Sequence, residues 1–211
     1  MAGGVAAPWP AELDAAFALL NVSRETSARL GAYVAALEKW NRSINLVSAR
    51  SLREVWRRHV LDSAQLVPLL PPDTATIVDL GSGAGLPGGV IACLHPARVH
   101  MIEADRRKAI FLGEMVRSLR LDAVVHASRI DAVRGLVADV VTARALAPLP
   151  ELLALAAPFL AEKSQCLFLK SQDIASELTA ATKHWRFDAT QTPSISDRRG
   201  LVLRIRHVER R

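Results

Sequence analysis

The sequence predicts an α/β protein in which a mostly parallel, seven-stranded sheet follows a helical N-terminal extension. Residues 11–70 show the apolar spacing of amphipathic helices. From residue 76 onward, short apolar strand patterns alternate with helical patterns, which is typical of a parallel sheet covered by helices on both faces. The last two strand patterns follow each other without a full helix between them. We therefore expect an antiparallel terminal hairpin that places one antiparallel strand at an edge of the sheet.

Two helices are predicted in the extension. The segment 24–40 repeats apolar residues at helical spacing, and Ser23 precedes it as a capping residue. Ser51 and Glu54 form a capping-box pattern, which predicts that a second helix begins there and continues to about Leu66. One side of this second helix is basic through four residues: Arg53, Arg57, Arg58 and His59.

Prolines separate the extension from the sheet. Pro68, Pro71 and Pro72 predict a boundary near residues 67–74. We therefore expect an N-terminal helical extension at 1–72, packed on a core domain at 73–211. The predicted strands of that domain are 76–80, 98–103, 122–126, 138–143, 165–170, 185–193 and 200–208. The predicted helices are 87–94, 106–119, 148–161 and 173–183.

The composition is that of a globular protein with an excess of positive charge. The net charge is +6, and 22 of the 27 basic residues are arginine, a side chain that matches phosphate and guanine edges. GC-rich coding also enriches arginine, so charge alone leaves a nucleic-acid partner open. Cys93 and Cys166 lie far apart in apolar runs, which predicts two reduced core thiols and no metal site. No apolar run reaches the ~18 residues of a membrane span and no secretion signal is recognisable, so we expect a cytoplasmic protein.

The stretch VDLGSGAGLPG at 78–88 contains two overlapping glycine patterns. One begins at Gly83 and continues through Gly85 and Gly88 as G-x-G-x-x-G, which is typical of dinucleotide sites. The other begins at Gly81, the first residue after the predicted strand, and alternates through Gly83 and Gly85. In the first pattern the turn starts too late and Gly88 falls inside the following helix. We therefore expect the ligand-binding turn to begin at Gly81.

A carboxylate at the end of the next strand extends this predicted site. Glu103 lies 22 residues after Gly81, where a carboxylate accepts the hydroxyl groups of a ribose. Asp79 lies two residues before Gly81, near the end of the strand, and such a loop resembles the first motif of S-adenosylmethionine methyltransferases. An NAD site and a glycine turn that binds nothing are the alternatives.

The residues after the fourth strand bear on the methyl acceptor. The segment 142–149, TARALAPL, has neither the Asp/Asn-Pro-Pro-aromatic pattern of amino-group DNA methyltransferases nor a nucleophilic cysteine. Arg144 is the polar candidate there, and a solvated arginine at a strand end is its alternative. N7 of guanine has a free lone pair and no proton to lose, so its methylation needs orientation rather than a general base. Many small-molecule acceptors share that property.

Nearly the whole chain resembles the RsmG (GidB) family of 16S rRNA guanine-N7 methyltransferases. The resemblance runs through KWNRSINLVSAR at 39–50, RHVLDSAQL at 58–66, GSGAGLPG at 81–88, ARALAPL at 143–149 and LFLK at 167–170. It implies a Rossmann-like class I methyltransferase fold, S-adenosylmethionine as cofactor, and methylation of guanine 527 in the 530 loop of 16S rRNA. We expect a monomer that acts on 16S rRNA within a 30S particle.

The resemblance also implies roles for individual residues. Cofactor contacts are expected from Gly81, Gly83, Gly85, Leu86, Glu103, Ile130, Asp131 and Arg144. RNA contacts are expected from Arg58, His59, Arg144 and Lys170. Arg144 and Lys170 are also candidates for positioning, and no residue is assigned as a catalytic base. The alternative for His59 is an ordinary helix histidine with a local partner such as Asp62 or Ser63.

Three other functions stay open at this point. A small-molecule methyltransferase of the same fold would have a closed pocket instead of an open basic rim. An RNA-binding protein without turnover would bind the same partner without transferring a methyl group. An NAD-dependent enzyme would use the glycine pattern that begins at Gly83.

Overall fold

Seven strands form one sheet in the computed structural model, which describes residues 7–171 and 173–211. The first six residues of the predicted extension lie outside the described residues. The strands are β1 Thr76–Leu80, β2 Arg98–Ile102, β3 Ala123–His126, β4 Ala138–Arg144, β5 Leu160–Ser171, β6 Trp185–Pro193 and β7 Gly200–Arg210. Their order across the sheet is β3-β2-β1-β4-β5-β7-β6, and β1 to β5 run parallel. The predicted α/β class with a mostly parallel sheet is confirmed.

The terminal hairpin differs from the prediction in one respect. β7 runs antiparallel to both β5 and β6 and lies between them, so the predicted antiparallel edge strand is wrong: the edges are β3 and β6. The reason is hydrophobic burial, because Leu201, Val202, Leu203 and Ile205 of β7 are all buried. By contrast, β6 exposes most of its residues after Trp185. A run of consecutive apolar residues suits a strand that is covered on both faces.

Helices cover both faces of the sheet. The α-helices are α1 Asp14–Leu19, α2 Arg24–Asn41, α3 Ala49–Leu52, α4 Asp62–Ala64, α5 Gly88–Leu94, α6 Arg106–Leu119, α7 Leu149–Ala156 and α8 Ala175–Ala181. Helix α2 packs against α5 and α6, and its Tyr33 shares an apolar core with Phe111. Helices α7 and α8 pack together, and Leu153 belongs to a second core with Phe168. Among the described residues, none of the helices combines the length and the apolar character that a membrane span requires.

The extension confirms one predicted helix and changes the other. Helix α2 begins after Ser23, whose hydroxyl oxygen accepts a hydrogen bond from the backbone N–H of Thr26. The predicted capping box at Ser51 is wrong, because Ser48 caps α3 by accepting from the N–H of Ser51. The chain then continues as a π-helix over Trp56–Leu61 and returns to α-helical geometry in α4.

The predicted boundary between α7 and β5 is also wrong. Helix α7 ends at Ala156, a 3-10 turn covers Ala157–Phe159, and β5 begins at Leu160 instead of residue 165. Pro158 explains the early end, because a proline lacks the N–H that an α-helix needs. The two cysteines are buried and unpaired, as predicted, and burial raises the pKa of both thiols. The division of the chain at residue 72 stays a prediction.

Candidate functional site

The candidate site is an open cleft of about 760 Å³ at the carboxyl ends of the parallel strands. In a parallel α/β sheet, ligands bind at this end of the strands. The walls come from the extension (46–62), the β1–α5 loop (81–86), the ends of β4 and β5 (144–145 and 169–171), and the β6–β7 loop (196–201). The fold therefore brings together segments that are far apart in the sequence.

The β1–α5 loop forms the floor of the cleft. Gly81, Gly83 and Gly85 all adopt positive φ angles, of 63°, 57° and 76°. Helix α5 begins at Gly88. The turn therefore starts at Gly81, as predicted, and Gly88 belongs to the helix. Positive φ angles favour glycine because it has no Cβ.

The three glycines face different neighbours. A Cβ at Gly83 would meet one atom within 4 Å, the carbonyl oxygen of Gly81 at 3.8 Å, so this position is open. A Cβ at Gly81 would lie 2.7 Å from a methyl carbon of Leu146. A Cβ at Gly85 would lie 2.7 Å from the hydroxyl of Tyr33. Gly81 and Gly83 line the cleft with Leu86, whereas Gly85 allows close packing against α2.

Two buried polar side chains hold this loop from beneath. Tyr33, fully buried on α2, donates its hydroxyl hydrogen to the carbonyl of Ala84. Asp79 accepts hydrogen bonds from the hydroxyl of Thr142 at 2.8 Å and from the N–H of Gly88 at 3.1 Å. Burial raises the pKa of Asp79 to about 6, although these hydrogen bonds oppose the shift. The extension thus supports the loop directly, through Tyr33.

Glu103 is tied to the same loop. One carboxylate oxygen accepts from the N–H of Gly83 at 2.7 Å, and the other accepts from the N–H of Asp105 at 2.8 Å. A carboxylate oxygen accepts more than one hydrogen bond, so Glu103 keeps acceptor capacity for the two hydroxyls of a ribose. Together with the open position at Gly83, this donor and acceptor set fits an adenosine-bearing cofactor such as S-adenosylmethionine.

Ile130 and Asp131 do not line the cleft. They lie in a 3-10 helix, Ile130–Ala132, that follows the carboxyl end of β3. Asp131 is exposed and pairs with Arg129 at 3.2 Å, and the hydrogen bond from Arg129 lowers its pKa. Their predicted contact with an adenine stays a prediction.

Arg144 crosses the cleft from β4 to the extension. Its Nη1 donates to the carbonyl of Arg58 at 3.1 Å and to Nδ1 of His59 at 3.0 Å. The same nitrogen lies 3.4 Å from a carboxylate oxygen of Asp62, and both side chains are less than one-fifth exposed. Arg144 is therefore fixed by contacts within the protein and is not a solvated arginine at a strand end.

His59 is buried and neutral. Burial and the nearby cations of Arg144 and Arg58 lower the pKa of its imidazole to about 3. Because a guanidinium only donates, Nδ1 of His59 accepts and the proton resides on Nε2. Nε2 is buried without a hydrogen-bond partner among the described residues. The hydroxyl of Ser63 bonds the backbone carbonyl of His59, so the predicted local partners of the ring are not observed.

Arg58 and His59 lie on the π-helix, Trp56–Leu61. Such wide turns are frequent at functional sites. Arg58 is exposed and His59 is buried, although the two are adjacent, and both line the cleft. The π-helix therefore presents one cation to solvent and one imidazole to Arg144.

Lys170, at the end of β5, is engaged within the protein. Its ammonium lies 2.6 Å from a carboxylate oxygen of Glu177 and donates to the carbonyl of Ala147 at 3.1 Å. The Lys170 side chain is 11% exposed. Lys170 lines the cleft, but its charge is already paired, and its predicted contact with RNA stays a prediction.

Comparison with known proteins places this architecture in a family. A family model described as rRNA small subunit methyltransferase G matches residues 26–202. The chain belongs to this family. It is 50% identical to the ribosomal RNA small subunit methyltransferase G of Rhodospirillum rubrum over 189 residues, which cover 90% of this chain and 94% of that one. The Parvibaculum lavamentivorans protein of the same name is 52% identical over 195 residues, 90% of this chain and 86% of that one.

A solved structure supports the fold. The ribosomal protein L11 methylase of Lactobacillus delbrueckii subsp. bulgaricus matches with a TM-score of 0.58 at 17% identity, over 71% of this chain and 79% of that chain. The fold is therefore that of the class I S-adenosylmethionine methyltransferases. Family membership and fold together favour the rRNA methyltransferase interpretation over the NAD-dependent and small-molecule alternatives.

Sequence reasoning missed two functional-site residues. Tyr33 lies within the predicted helix 24–40, and nothing in the helical spacing of that segment distinguishes a tyrosine that bonds a distant loop. Glu177, on the short helix α8, carries no motif. The absence of a metal site was a prediction, and among residues 7–171 and 173–211 no group of three potential ligand side chains is arranged to bind one.

Proposed function

We propose that this chain transfers a methyl group from S-adenosylmethionine to N7 of guanine 527 in the 530 loop of 16S rRNA. Family membership supports the coarser statement, methylation of small-subunit rRNA. The choice of N7 rests on the chemistry of the cleft, and the position of the guanine rests on the resemblance to RsmG.

The single observation that carries the N7 assignment is that every acidic or imidazole side chain lining the described cleft is already engaged. Asp62 is paired with Arg144, Glu177 is paired with Lys170, and Asp197 accepts from the N–H of Arg199. His59 accepts from Arg144. Three of these four candidates for a general base, Asp62, Glu177 and His59, are thus occupied by a cation. A nucleophile with a lone pair and no proton, such as N7 of guanine, needs no general base.

The cofactor is proposed to lie over the β1–α5 loop. Gly81, Gly83 and Leu86 would contact its amino-acid and ribose portions, and Glu103 would accept the ribose hydroxyls. When bound, this cofactor supplies a methyl group on an activated sulfonium. The chain contributes orientation and exclusion of water, and well-oriented reactants reach effective molarities of about 10⁵ M or more. Arg144 would contact the guanine, because it spans the space between this loop and the extension.

The RNA is proposed to approach over cations that form no ion pair with any of the described residues. Arg58, Lys108 and Arg199 line the cleft, and no ion-pair partner for them is found among the described residues. Arg58 and Arg199 are exposed. Free cations at the mouth of a cleft bind phosphates, and this binding weakens with salt. We also propose that the chain is a monomer and acts on the 30S particle, because one small domain offers little surface for a folded rRNA loop.

Methyl transfer from tritiated S-adenosylmethionine tests this function. The purified chain is incubated with 30S particles that lack the modification, with naked 16S rRNA, and with a small-molecule extract. Incorporation into 16S rRNA, greater in 30S particles than in naked rRNA, is expected. Label in the small-molecule fraction and none in rRNA would overturn the proposal. Equal rates on naked rRNA and on 30S particles would contradict the part of the proposal that makes the 30S particle the substrate.

A further inference from the structure

The loop that follows Arg144 is held by one ion pair. This β4–α7 loop, residues 145–148, joins the end of β4 to α7. Lys170 donates to the carbonyl of Ala147 inside the loop, at 3.1 Å. Glu177 accepts from the N–H of Leu149, the first residue of α7, at 2.6 Å. The two charged groups lie 2.6 Å apart, so a single pair contacts both the loop and the helix after it.

The same loop contacts the proposed cofactor site. A methyl carbon of Leu146 lies 2.7 Å from the position that a Cβ at Gly81 would occupy, so the leucine packs directly on that glycine. Ala145 has a positive φ of 49°, which turns the chain sharply between Arg144 and Leu146. A non-glycine residue in this region is strained and persists only where its surroundings hold it.

We propose that Lys170 and Glu177 are positioning residues that clamp the β4–α7 loop against the β1–α5 loop. Their pair keeps Leu146 on Gly81 and holds the strained turn after Arg144. The proposal rests on the proposed function in that it takes S-adenosylmethionine as the ligand of the β1–α5 loop. It differs from the predicted RNA contact of Lys170 and gives the predicted positioning role a target, because the lysine acts on the cofactor site through the β4–α7 loop and not on RNA phosphate.

Burial and charge both favour this role. The side chains are 11% and 24% exposed, so the loss of either partner leaves an uncompensated charge in a largely desolvated site. A phosphate would also have to displace Glu177 before it could contact Lys170. Arg58 and Arg199 are exposed cations near the same cleft, and a phosphate can bind them without displacing a carboxylate.

Two substitutions that remove a charge distinguish the clamp role from the RNA-contact role, because the two roles predict different effects of Glu177→Gln. Lys170→Gln and Glu177→Gln are each compared with the wild type for binding of S-adenosylhomocysteine by calorimetry and for 30S binding at several salt concentrations. If the pair is a clamp, both variants weaken cofactor binding by about tenfold and leave the salt dependence of 30S binding unchanged. The double variant is then little worse than either single variant, because the interaction is already lost.

The RNA-contact role predicts a different set of results. Lys170→Gln would lower the slope of log affinity against log salt by about one and leave cofactor binding intact. Glu177→Gln would free the lysine and tighten 30S binding. Either result overturns the clamp. If the wild type itself fails to bind S-adenosylhomocysteine, the proposed function and the clamp fall together; if it binds and both variants bind equally well, the clamp alone falls.

Controls come from the same strand. Lys163→Gln and Glu162→Gln change the same residue types at exposed positions near the start of β5. They are expected to leave both binding measurements unchanged. In steady-state kinetics the clamp variants raise KM for S-adenosylmethionine and leave KM for 30S particles unchanged, whereas general loss of folding lowers the active fraction and moves neither KM.

Discussion

The two sides of the cleft are built in different ways. The proposed cofactor side, which comprises the β1–α5 loop and Glu103 bonded to it, comes from the ends of two adjacent strands and is fixed from beneath by Tyr33 and Asp79. The proposed RNA side, which comprises Arg58, His59, Arg144 and Asp62, joins the extension to the end of β4 across more than 80 residues of sequence. The cofactor side is held together by hydrogen bonds to backbone and carboxylate oxygens. The RNA side is held together by hydrogen bonds from the guanidinium group of Arg144.

This difference indicates a division of labour. The cofactor side is arranged before any ligand binds, because its carboxylates already accept backbone N–H groups that hold the loop. The RNA side holds one arginine in place and leaves other cations exposed. Changes on the first side should therefore alter cofactor affinity, and changes on the second should alter turnover, pH dependence or salt dependence.

The largest effect is expected at Arg144. Arg144→Ala removes the guanidinium that contacts Arg58, His59 and Asp62, and with it the proposed contact to guanine. We expect kcat on 30S particles to fall at least about 100-fold, because misplaced reactants lose that much rate. S-adenosylhomocysteine affinity is expected to change less than about threefold. Normal turnover by Arg144→Ala would contradict the proposed contact with guanine and would indicate that Arg144 has no role in the reaction.

A large effect on stability is expected from His59 at acid pH. Its folded-state pKa of about 3 lies below its unfolded value of 6.5, so its contribution is fully present above pH 6.5 and is lost as pH falls towards 3. Relative to His59→Gln, the wild type should lose roughly 2 kcal/mol of unfolding free energy between pH 7.5 and 5. Denaturant unfolding of both proteins at each pH measures this. Parallel pH profiles of the two proteins would contradict the neutral, buried histidine.

A smaller effect is expected on the cofactor side. Glu103→Ala removes the acceptor for Gly83 and for the proposed ribose, so S-adenosylhomocysteine should bind about tenfold more weakly. Calorimetry measures the affinity. Glu114→Ala, at an exposed ion pair on α6, is the matched control and should bind normally. Unchanged affinity in Glu103→Ala would remove Glu103 from the ribose role.

The smallest effect is expected at Arg58. Arg58→Gln should lower the slope of log 30S affinity against log salt by about one, because one phosphate contact is lost. Arg117→Gln is the control, since Arg117 is exposed on α6 but pairs with Glu114. Filter binding at several salt concentrations measures both. The division of labour fails if Arg58→Gln changes cofactor affinity and leaves the salt slope as it was.

The cofactor side was largely predictable from the sequence, and the RNA side was not. The strand end, the glycine spacing and the position of Glu103 are local features, so they fix the turn at Gly81 without knowledge of the packing. The resemblance to the family named Arg58, His59 and Arg144, and their contacts with RNA stay a prediction. Their mutual contact, and the pairing of Lys170 with Glu177, depend on how distant segments meet.

The errors in the fold prediction have more than one origin. The capping box at Ser51 was locally plausible, but Ser48 occupies the cap and a π-helix follows. The consecutive apolar residues of β7 indicate a strand inside the sheet. The absence of a helix between the last two strand patterns predicts a hairpin but does not say which of its strands lies at the edge. The contact from Tyr33 to Ala84 had no sequence signal, because a buried tyrosine on an apolar face looks like any core residue.

Mapping of the methyl group on the rRNA tests the central claim most directly. 30S particles that lack the modification are treated with the chain and S-adenosylmethionine, and nuclease fragments of the 16S rRNA are measured by mass spectrometry. Cleavage specific for N7-methylguanine then locates the modified atom. The account predicts one added methyl group, on N7 of guanine 527. A methyl group on an exocyclic amine, on a ribose hydroxyl or on another nucleotide would contradict it.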